Sequence, residues 1–384
     1  MIVPFPLKPK VLIFRNELLP RSETFILAQA NALTTFEPIY AGVHPALGSL
    51  DLDVAPTFVS GSSTIFGKVL RRLFWQSSCA PGFYKALRNL EPDLIHAHFA
   101  IDGAAALPIQ QALKVPLVVS LHGYDVSMAD TSLQQSVEGR VYLRRRKELW
   151  DRASAFLCIS EFIREKALEK GFPAKKLLVH YTGSDLAVFS SQKQTRDPNM
   201  ILFVGRLVEK KGCHYLLDAL AILRTFHPQV RLVIIGGGVL EDELRARVRR
   251  EDLPCEFLGV QPAAVVMQQM ARARVFCAPS VAASTGDSEG LGMVFAEAQA
   301  MGTPVASFNH GGISEVVRHK ETGLLATERD SAELADHLHR LLCDDATWTK
   351  YSQRAVQWVA ERFDIKKQNV QLENIYRKVL ANPA

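Results

Sequence analysis

The stretch Met200-Ile-Leu-Phe-Val204-Gly205-Arg206-Leu-Val-Glu-Lys-Lys211-Gly212 opens on an unbroken apolar run, turns at a glycine and carries charge up to a second glycine. An alternating strand buries one face, whereas a continuous run such as 201–204 is buried on both, as in a parallel sheet with helices above and below. The pattern repeats in both directions. Residues 232–235, 256–258, 275–278 and 304–307 read as further strands, with helices at 212–227, 240–250, 262–273 and 292–301. Upstream, 11–14, 94–97, 117–121 and 155–159 read as strands, with helices near 23–33, 103–113, 138–151 and 161–170. Between the two series lies the polar, aperiodic run Ser190-Ser-Gln-Lys-Gln-Thr-Arg-Asp-Pro-Asn199, a linker. The expectation is an α/β chain of two doubly wound Rossmann-like domains, 1–190 and 200–363, facing across a cleft. A helical end, 364–384, closes the second domain or crosses back to the first. The length of 384 residues, too long for one ordinary core, agrees with two domains.

Composition narrows the class. Hydrophobic content of 48% with 22% charged residues describes a soluble globular protein. No run of 18 or more apolar residues reads as a spanning helix, and the first ten residues lack the apolar core of a signal peptide, so a cytoplasmic location is expected. A net charge of +5 without an aromatic platform argues against a nucleic-acid groove. Six cysteines are scattered with no Cys-x-x-Cys pair, and Cys158 sits in an apolar run as a small buried hydrophobe would, so no cysteine is assigned chemistry. Asp51-Leu-Asp53 has no further ligand nearby, and no metal is expected. Segment 65–75, with Lys68, Arg71 and Arg72, reads equally as an interfacial amphipathic helix on anionic lipid and as a helix packed on its own sheet with a solvated basic edge.

Ligands of doubly wound sheets gather where strands end. Arg206 and Lys211, after the strand at 201–204, set a fork-shaped and a point positive charge there, suited to a diphosphate. Glu289-Gly290-Leu291-Gly292-Met293-Val294-Phe295-Ala296-Glu297 reads as a glycine-rich loop running into a helix. If helical from Gly290, its two carboxylates lie about 12 Å apart along the axis, with free first-turn N–H groups near the first. That is about the reach of a nucleotide sugar: diphosphate at the helix start, one carboxylate for sugar hydroxyls and the other for ribose. His122, in His122-Gly-Tyr-Asp125, follows the strand at 117–121 and faces the same cleft. The loop Pro20-Arg21-Ser22-Glu23 follows the first strand, where Ser22 serves most economically as a helix N-cap. Two matches are rejected: Gly236-Gly-Gly238, because Glu241 stands where a dinucleotide fingerprint wants a small residue, and Gly286-Asp-Ser288-Glu-Gly290, because nine residues separate the strand end from Ser288 where a nucleophile elbow allows almost none.

Taken together, Gly205-Arg206 with Lys211-Gly212, Ser288-Glu289-Gly290 through Glu297, and Asn309-His-Gly-Gly312 with Glu315 resemble the retaining glycosyltransferases of family 4, which have the GT-B fold. Ser22-Glu-Thr-Phe-Ile26 is similar to the subgroup that builds bacterial exopolysaccharides of the colanic acid or amylovoran kind. The resemblance implies a metal-independent retaining hexosyltransferase with no cofactor, taking a UDP or GDP sugar as donor and a glycan or lipid-linked acceptor. It implies that Arg206 and Lys211 hold the diphosphate, Glu289 the sugar hydroxyls, Glu297 the ribose, and His122 the sugar or β-phosphate side. Gly205 and the backbone of Gly290, Leu291, Gly292, Met293 and Val294 complete the donor site. Arg21, Ser22, Glu23 and Asp125 fall on the acceptor or phosphate side, although the glycine pair usual in that first loop is missing. The main alternative to this enzyme is a non-catalytic nucleotide-sugar or glycan-binding protein; a serine hydrolase using Ser288 is the remaining one, disfavoured by the elbow geometry.

Overall fold

Runs of β-branched and aromatic residues flanked by glycine and proline set the strands of both sheets. The computed structural model describes residues 8–20, 23–46, 48, 50–189 and 195–382. Within them the chain divides into two compact units, Met1–Gly183 with Ile365–Ala384, and Ser184–Asp364.

The first unit holds β1 (Lys10–Leu18), β2 (Glu37–Pro45), β3 (Thr57–Phe58), β4 (Leu94–His98), β5 (Leu117–Leu121), β6 (Ala155–Cys158) and β7 (Leu177–Val179). They form one parallel sheet in the order β3-β2-β1-β4-β5-β6-β7. Every residue of β4, β5 and β6 is buried, as their unbroken apolar character requires. One face packs Val11, Ile13, Leu94, Val118 and Leu157 against Leu372, Tyr376 and Val379 of the helix Ile365–Ala381. The C-terminal helix is therefore part of this unit's core, each of those three side chains adding roughly 1.5–3 kcal/mol by burial. Glu373 locks the contact: its carboxylate accepts from the N–H groups of Thr34 at 2.5 Å and Thr35 at 2.7 Å.

The second unit holds β8 (Asp197–Val204), β9 (Arg231–Ile235), β10 (Cys255–Gly259), β11 (Ala273–Cys277), β12 (Val305–Phe308) and β13 (Gly323–Ala326), parallel in the order β10-β9-β8-β11-β12-β13. In each sheet the order reverses at one place, between β1 and β4 and between β8 and β11. There neighbouring connections run to opposite faces and leave a crevice at the strand ends.

Candidate functional site

In the second unit the crevice is built by the loops that follow β8 and β11. After Val204 the chain runs through Gly205 and Arg206 into a single tight turn, Glu209–Lys211, and then into the helix Cys213–Leu223. Gly212, at φ 64°, makes that entry possible: a Cβ there would lie 1.8 Å from the carbonyl oxygen of Pro279, just beyond β11. Val281 N–H donates to the Lys210 carbonyl at 2.8 Å, tying the loops together. With the backbones this close, side chains distant in sequence pair. Lys211 Nζ donates to Glu289 Oε2 at 2.5 Å, Lys210 Nζ to Asp287 Oδ1 at 3.0 Å, and the Ser280 hydroxyl to Glu289 Oε2 at 3.2 Å.

Glu289 is only 7% exposed. Burial alone pushes its carboxyl up, but Lys211 and Lys210 outweigh that and hold it at about 2, so it is a fixed anion. Gly236 and Gly238 have a different role from the fingerprint they imitate. A Cβ at Gly236 would come 1.9 Å from Gly205 O, and one at Gly238 2.4 Å from Leu207 O, so the run lies directly under the loop that presents Arg206. Arg206 itself is exposed and makes no ion pair among the described residues.

The structure corrects one expectation. The helix begins at Met293, running Met293–Ala300, and not near Gly290; Gly292, at φ 82°, is its N-cap. Residues 289–291 are instead pinned by the loop after β12, where Gly312 N–H donates to Glu289 O at 2.9 Å. Cβ atoms on Gly311 and Gly312 would meet the carbonyl oxygens of Glu289 and Gly290 at 2.2 and 2.1 Å. Asn309-His-Gly-Gly312 is thus the platform on which Glu289 rests, and the spacing inferred from a continuous helix does not apply. Leu291 turns its side chain into the core. The first-turn N–H groups of Met293 and Val294 meet no other protein acceptor among the described residues. Glu297, half-buried one turn further on, has a carboxylate with no hydrogen-bond partner among them, and burial raises its pKa to about 7.

The first unit gathers its own cluster where β1, β4 and β5 end. Arg15, on β1, forms a two-pronged pair with Glu23, a second ion pair with Asp102, and stacks 4.4 Å from the Phe99 ring. Burial opposes its charge, but Asp102 and Glu23 more than restore it and raise its pKa. His122 Nε2 lies 3.0 Å from His98 Nδ1, and its ring packs against Phe99 and Phe25. Burial, with Arg15 and His96 nearby, drives its pKa well down, so His122 is neutral at physiological pH. His98 Nε2 is buried with no partner among the described residues. Asp125, read as an acceptor-side group, spends its oxygens on the N–H groups of Ala100, Gly123 and His122 at 2.8, 2.9 and 3.3 Å, and so shapes the turn that carries His122. Arg15 and Asp102 escaped the sequence reading. The signal was an arginine one position past the apolar run 11–14, which in a buried strand requires a carboxylate partner. Arg21 and Ser22 lie outside the described residues.

Ser288 lies in the irregular stretch between β11 and Met293 and donates to Gly286 O at 3.2 Å; no sharp strand-to-helix turn holds it. Segment 65–75 falls in the helix Ile65–Ser77, capped by Thr64. It exposes Ile65 and Phe66 at 82% and 71% and helps line a pocket of about 530 Å³ carrying Lys68, Arg71, Arg72, Arg140 and Arg144. None of these five cations makes an ion pair among the described residues.

Comparison with known proteins agrees with both units. A family model described as Glycosyl transferases group 1 matches residues 177–358, and one described as Glycosyltransferase Family 4 matches residues 48–188. The putative colanic acid biosynthesis glycosyltransferase WcaL of Salmonella typhimurium is 29% identical over 332 residues, covering 85% of this chain and 79% of that one. The amylovoran biosynthesis glycosyltransferase AmsK of Erwinia amylovora is 32% identical over 255 residues, covering 65% and 61%. Among solved structures, Anabaena Alr3699/HepE in complex with UDP and glucose superposes with a TM-score of 0.75 at 22% identity, over 96% of this chain and 99% of that one. Sucrose-phosphate synthase from Thermosynechococcus elongatus gives 0.77 at 20% identity, over 97% and 100%. At those identities the structural likeness speaks for the fold alone.

Proposed function

The chain belongs to the GT-B glycosyltransferases of exopolysaccharide type, and from that premise we propose that it moves a hexose, with retention of anomeric configuration, from UDP-hexose to a glycan or lipid-linked acceptor during polysaccharide assembly. The observation that carries the donor reading is Glu297, a half-buried carboxylate without a partner, one turn beyond first-turn N–H groups that also lack one. A ribose diol supplies two O–H donors to such a carboxylate, and the adjoining diphosphate is drawn to the N–H groups of Met293 and Val294. Arg206 and Lys211 hold the same diphosphate, and Glu289 takes hydrogen bonds from the sugar hydroxyls. His122, in the first unit, is neutral and can exchange a hydrogen bond with a hydroxyl without adding charge.

The barrier is loss of the diphosphate while positive charge grows at the anomeric carbon. Fixed cations and helix N–H groups stabilise the negative charge left on the departing oxygen, which is why no metal is invoked. The acceptor hydroxyl attacks from the face the diphosphate leaves. Its oxygen bonds to the anomeric carbon as the carbon–oxygen bond to phosphate breaks, and its proton passes to the departing phosphate. UDP is taken as the donor nucleotide here because it is the one crystallised with Anabaena HepE, and the nucleotide-sugar titrations below decide it against GDP.

Donor binding is expected to depend on pH in one direction. The Glu297 carboxyl is raised to about 7, and only its ionised form offers two strong acceptor oxygens to the ribose diol, the protonated acid turning one of them into a donor. Affinity for a UDP sugar is therefore constant above that value and weakens by up to about tenfold per pH unit below it, whereas Glu297→Gln binds less tightly by about 1.5–3 kcal/mol with no such dependence. Thermal-shift titrations with UDP, GDP and ADP sugars read this directly, a ligand at a hundredfold excess over its Kd adding about 2.7 kcal/mol. Proton NMR of the product gives the anomeric configuration. Silence toward every nucleotide sugar, or an inverted anomer, defeats the proposal; binding without transfer leaves only a nucleotide-sugar receptor.

No helix among the described residues is long and apolar enough to cross a membrane. We place the protein in the cytoplasm, touching the inner membrane face through the helix Ile65–Ser77. Its exposed Ile65, Phe66 and Val69 enter the interface while Lys68, Arg71 and Arg72 meet anionic headgroups, each worth about 1 kcal/mol. Charge reversal at Arg71 and Arg72 should then remove most co-sedimentation with vesicles containing phosphatidylglycerol; sedimentation unchanged by the reversal eliminates the contact.

A further inference from the structure

Three side chains of the second unit, unrelated to the donor residues, converge at the edge of the sheet where its strands begin. His227 lies in the turn between the helix Cys213–Leu223 and β9; His339 and Cys343 sit one turn apart at the end of the helix Ser331–Cys343. Cys343 Sγ is 3.7 Å from His227 Nδ1 and 3.5 Å from His339 Nδ1, and one ligand atom from each residue lies within 4.8 Å of the others.

These separations match a definite coordination geometry. Tetrahedral zinc with bonds of about 2.05 Å to nitrogen and 2.3 Å to sulfur sets a nitrogen and a sulfur ligand about 3.6 Å apart. The surroundings also fix the nitrogen that faces the sulfur. His227 Nε2 is 2.9 Å from Asn199 Oδ1, and Asn199 Nδ2 donates in turn to Gln229 Oε1 at 3.3 Å. The amide thus presents its oxygen, His227 carries its proton on Nε2, and the Nδ1 lone pair points at the cluster. A metal-binding histidine is commonly held by such an outer hydrogen bond. The His339 ring stands edge-on to Phe226, 4.9 Å between centroids.

We infer that His227 Nδ1, His339 Nδ1 and Cys343 Sγ form a binding site for one thiophilic divalent cation, zinc above all, with a fourth position left to water. Binding releases the thiol proton to solvent and leaves two neutral imidazoles and one thiolate on the metal. The site clamps the end of one helix to the start of the sheet. The span from Asn199 to Val204 along β8, roughly 17 Å, separates it from the loop bearing Arg206, so the cation takes no part in glycosyl transfer. No Cys-x-x-Cys marks the site because its ligands are a His-x-x-x-Cys on one helix face and a histidine from a remote turn.

The test uses the full chain, freed of metal by chelator and titrated with Co²⁺ and Zn²⁺. One equivalent of Co²⁺ should give a near-ultraviolet thiolate-to-cobalt band that Zn²⁺ bleaches. Cys343→Ser abolishes the band, whereas Cys79→Ser, at the other exposed cysteine, retains it. Asn199→Ala keeps all three ligands and weakens zinc binding by about 10–100-fold, the effect of removing a positioning residue. A band surviving in Cys343→Ser, or zinc affinity equal in wild type and Cys343→Ser, overturns the site. Circular dichroism confirms that each variant is folded. UDP-sugar binding, read in the same samples, is expected to be unchanged, so the failure of this site and the failure of the donor reading are told apart.

Discussion

Lys211→Ala is expected to lower kcat by about 10²–10³-fold and to destabilise the second unit by about 3 kcal/mol. The two losses have different origins. In the proposed transition state Lys211 meets the departing diphosphate, a charge-assisted contact of a kind that contributes about 2.7–4 kcal/mol. In the resting protein the same ammonium offsets Glu289, a nearly buried carboxylate, and breaking a buried pair from one side costs about 3–5 kcal/mol because a charge is left unpaired. The lower end applies because Lys210 still acts on the same carboxylate. Adding Glu289→Gln removes the orphaned charge, so the double variant should regain most of the stability in urea denaturation while remaining inactive. Acid unfolding gives a further reading. Glu289 is held at about 2, below its ordinary 4.5, so its contribution is complete at neutral pH and is lost as pH falls from about 4.5 through about 2. Without Lys211 that loss moves to higher pH. Wild-type turnover in Lys211→Ala, or a double variant no more stable than the single, contradicts this account.

Residue type was legible in the sequence where chemistry demands it, and partnership was not. The unbroken apolar runs at 117–121 and 201–204 identified β5 and β8, but β2 carries Pro38, Gly42 and Pro45 and reads as punctuation although it lies inside the sheet. β3, β7 and β13, at two to four residues, carry too little pattern to stand out. The cations after β8 and the carboxylates at 289 and 297 could be singled out as candidate donor groups. That Lys211 and Glu289 face each other depends on strand order, which places β11 beside β8 and which no local pattern encodes. The helix read at 292–301 is observed at Met293–Ala300, but the start near Gly290 on which the spacing of about 12 Å depended does not occur. Gly290-Leu-Gly292 fits a helix entry as well as a loop, and the decision belongs to Gly311 and Gly312, some twenty residues away. Glycines judged by spacing alone misled in the same way: Gly236 and Gly238 are small because another backbone passes within van der Waals reach, not because a cofactor does.

Gly212→Ala tests whether backbone proximity governs the site. At φ 64° a Cβ costs about 1–2 kcal/mol in any surroundings. Here it would also stand 1.8 Å from the Pro279 carbonyl oxygen, a main-chain atom held by the loop after β11 and unable to rotate aside. The loops must therefore part, at an expected total of about 4 kcal/mol, which for a unit of this size lowers Tm by about 8–16 °C. Gly205→Ala is the control. Its Cβ would meet only the side chains of Phe203 and Lys211 at 3.6–3.8 Å, ordinary contact, so its Tm should stay within about 2 °C of wild type. Separation of the loops also draws Lys211 from Glu289, so Gly212→Ala should lose donor binding at temperatures where calorimetry still shows it folded. If both variants melt with the wild type, the loops are not packed as closely as the Gly212–Pro279 approach requires, and the pairing of Lys211 with Glu289 loses its structural cause.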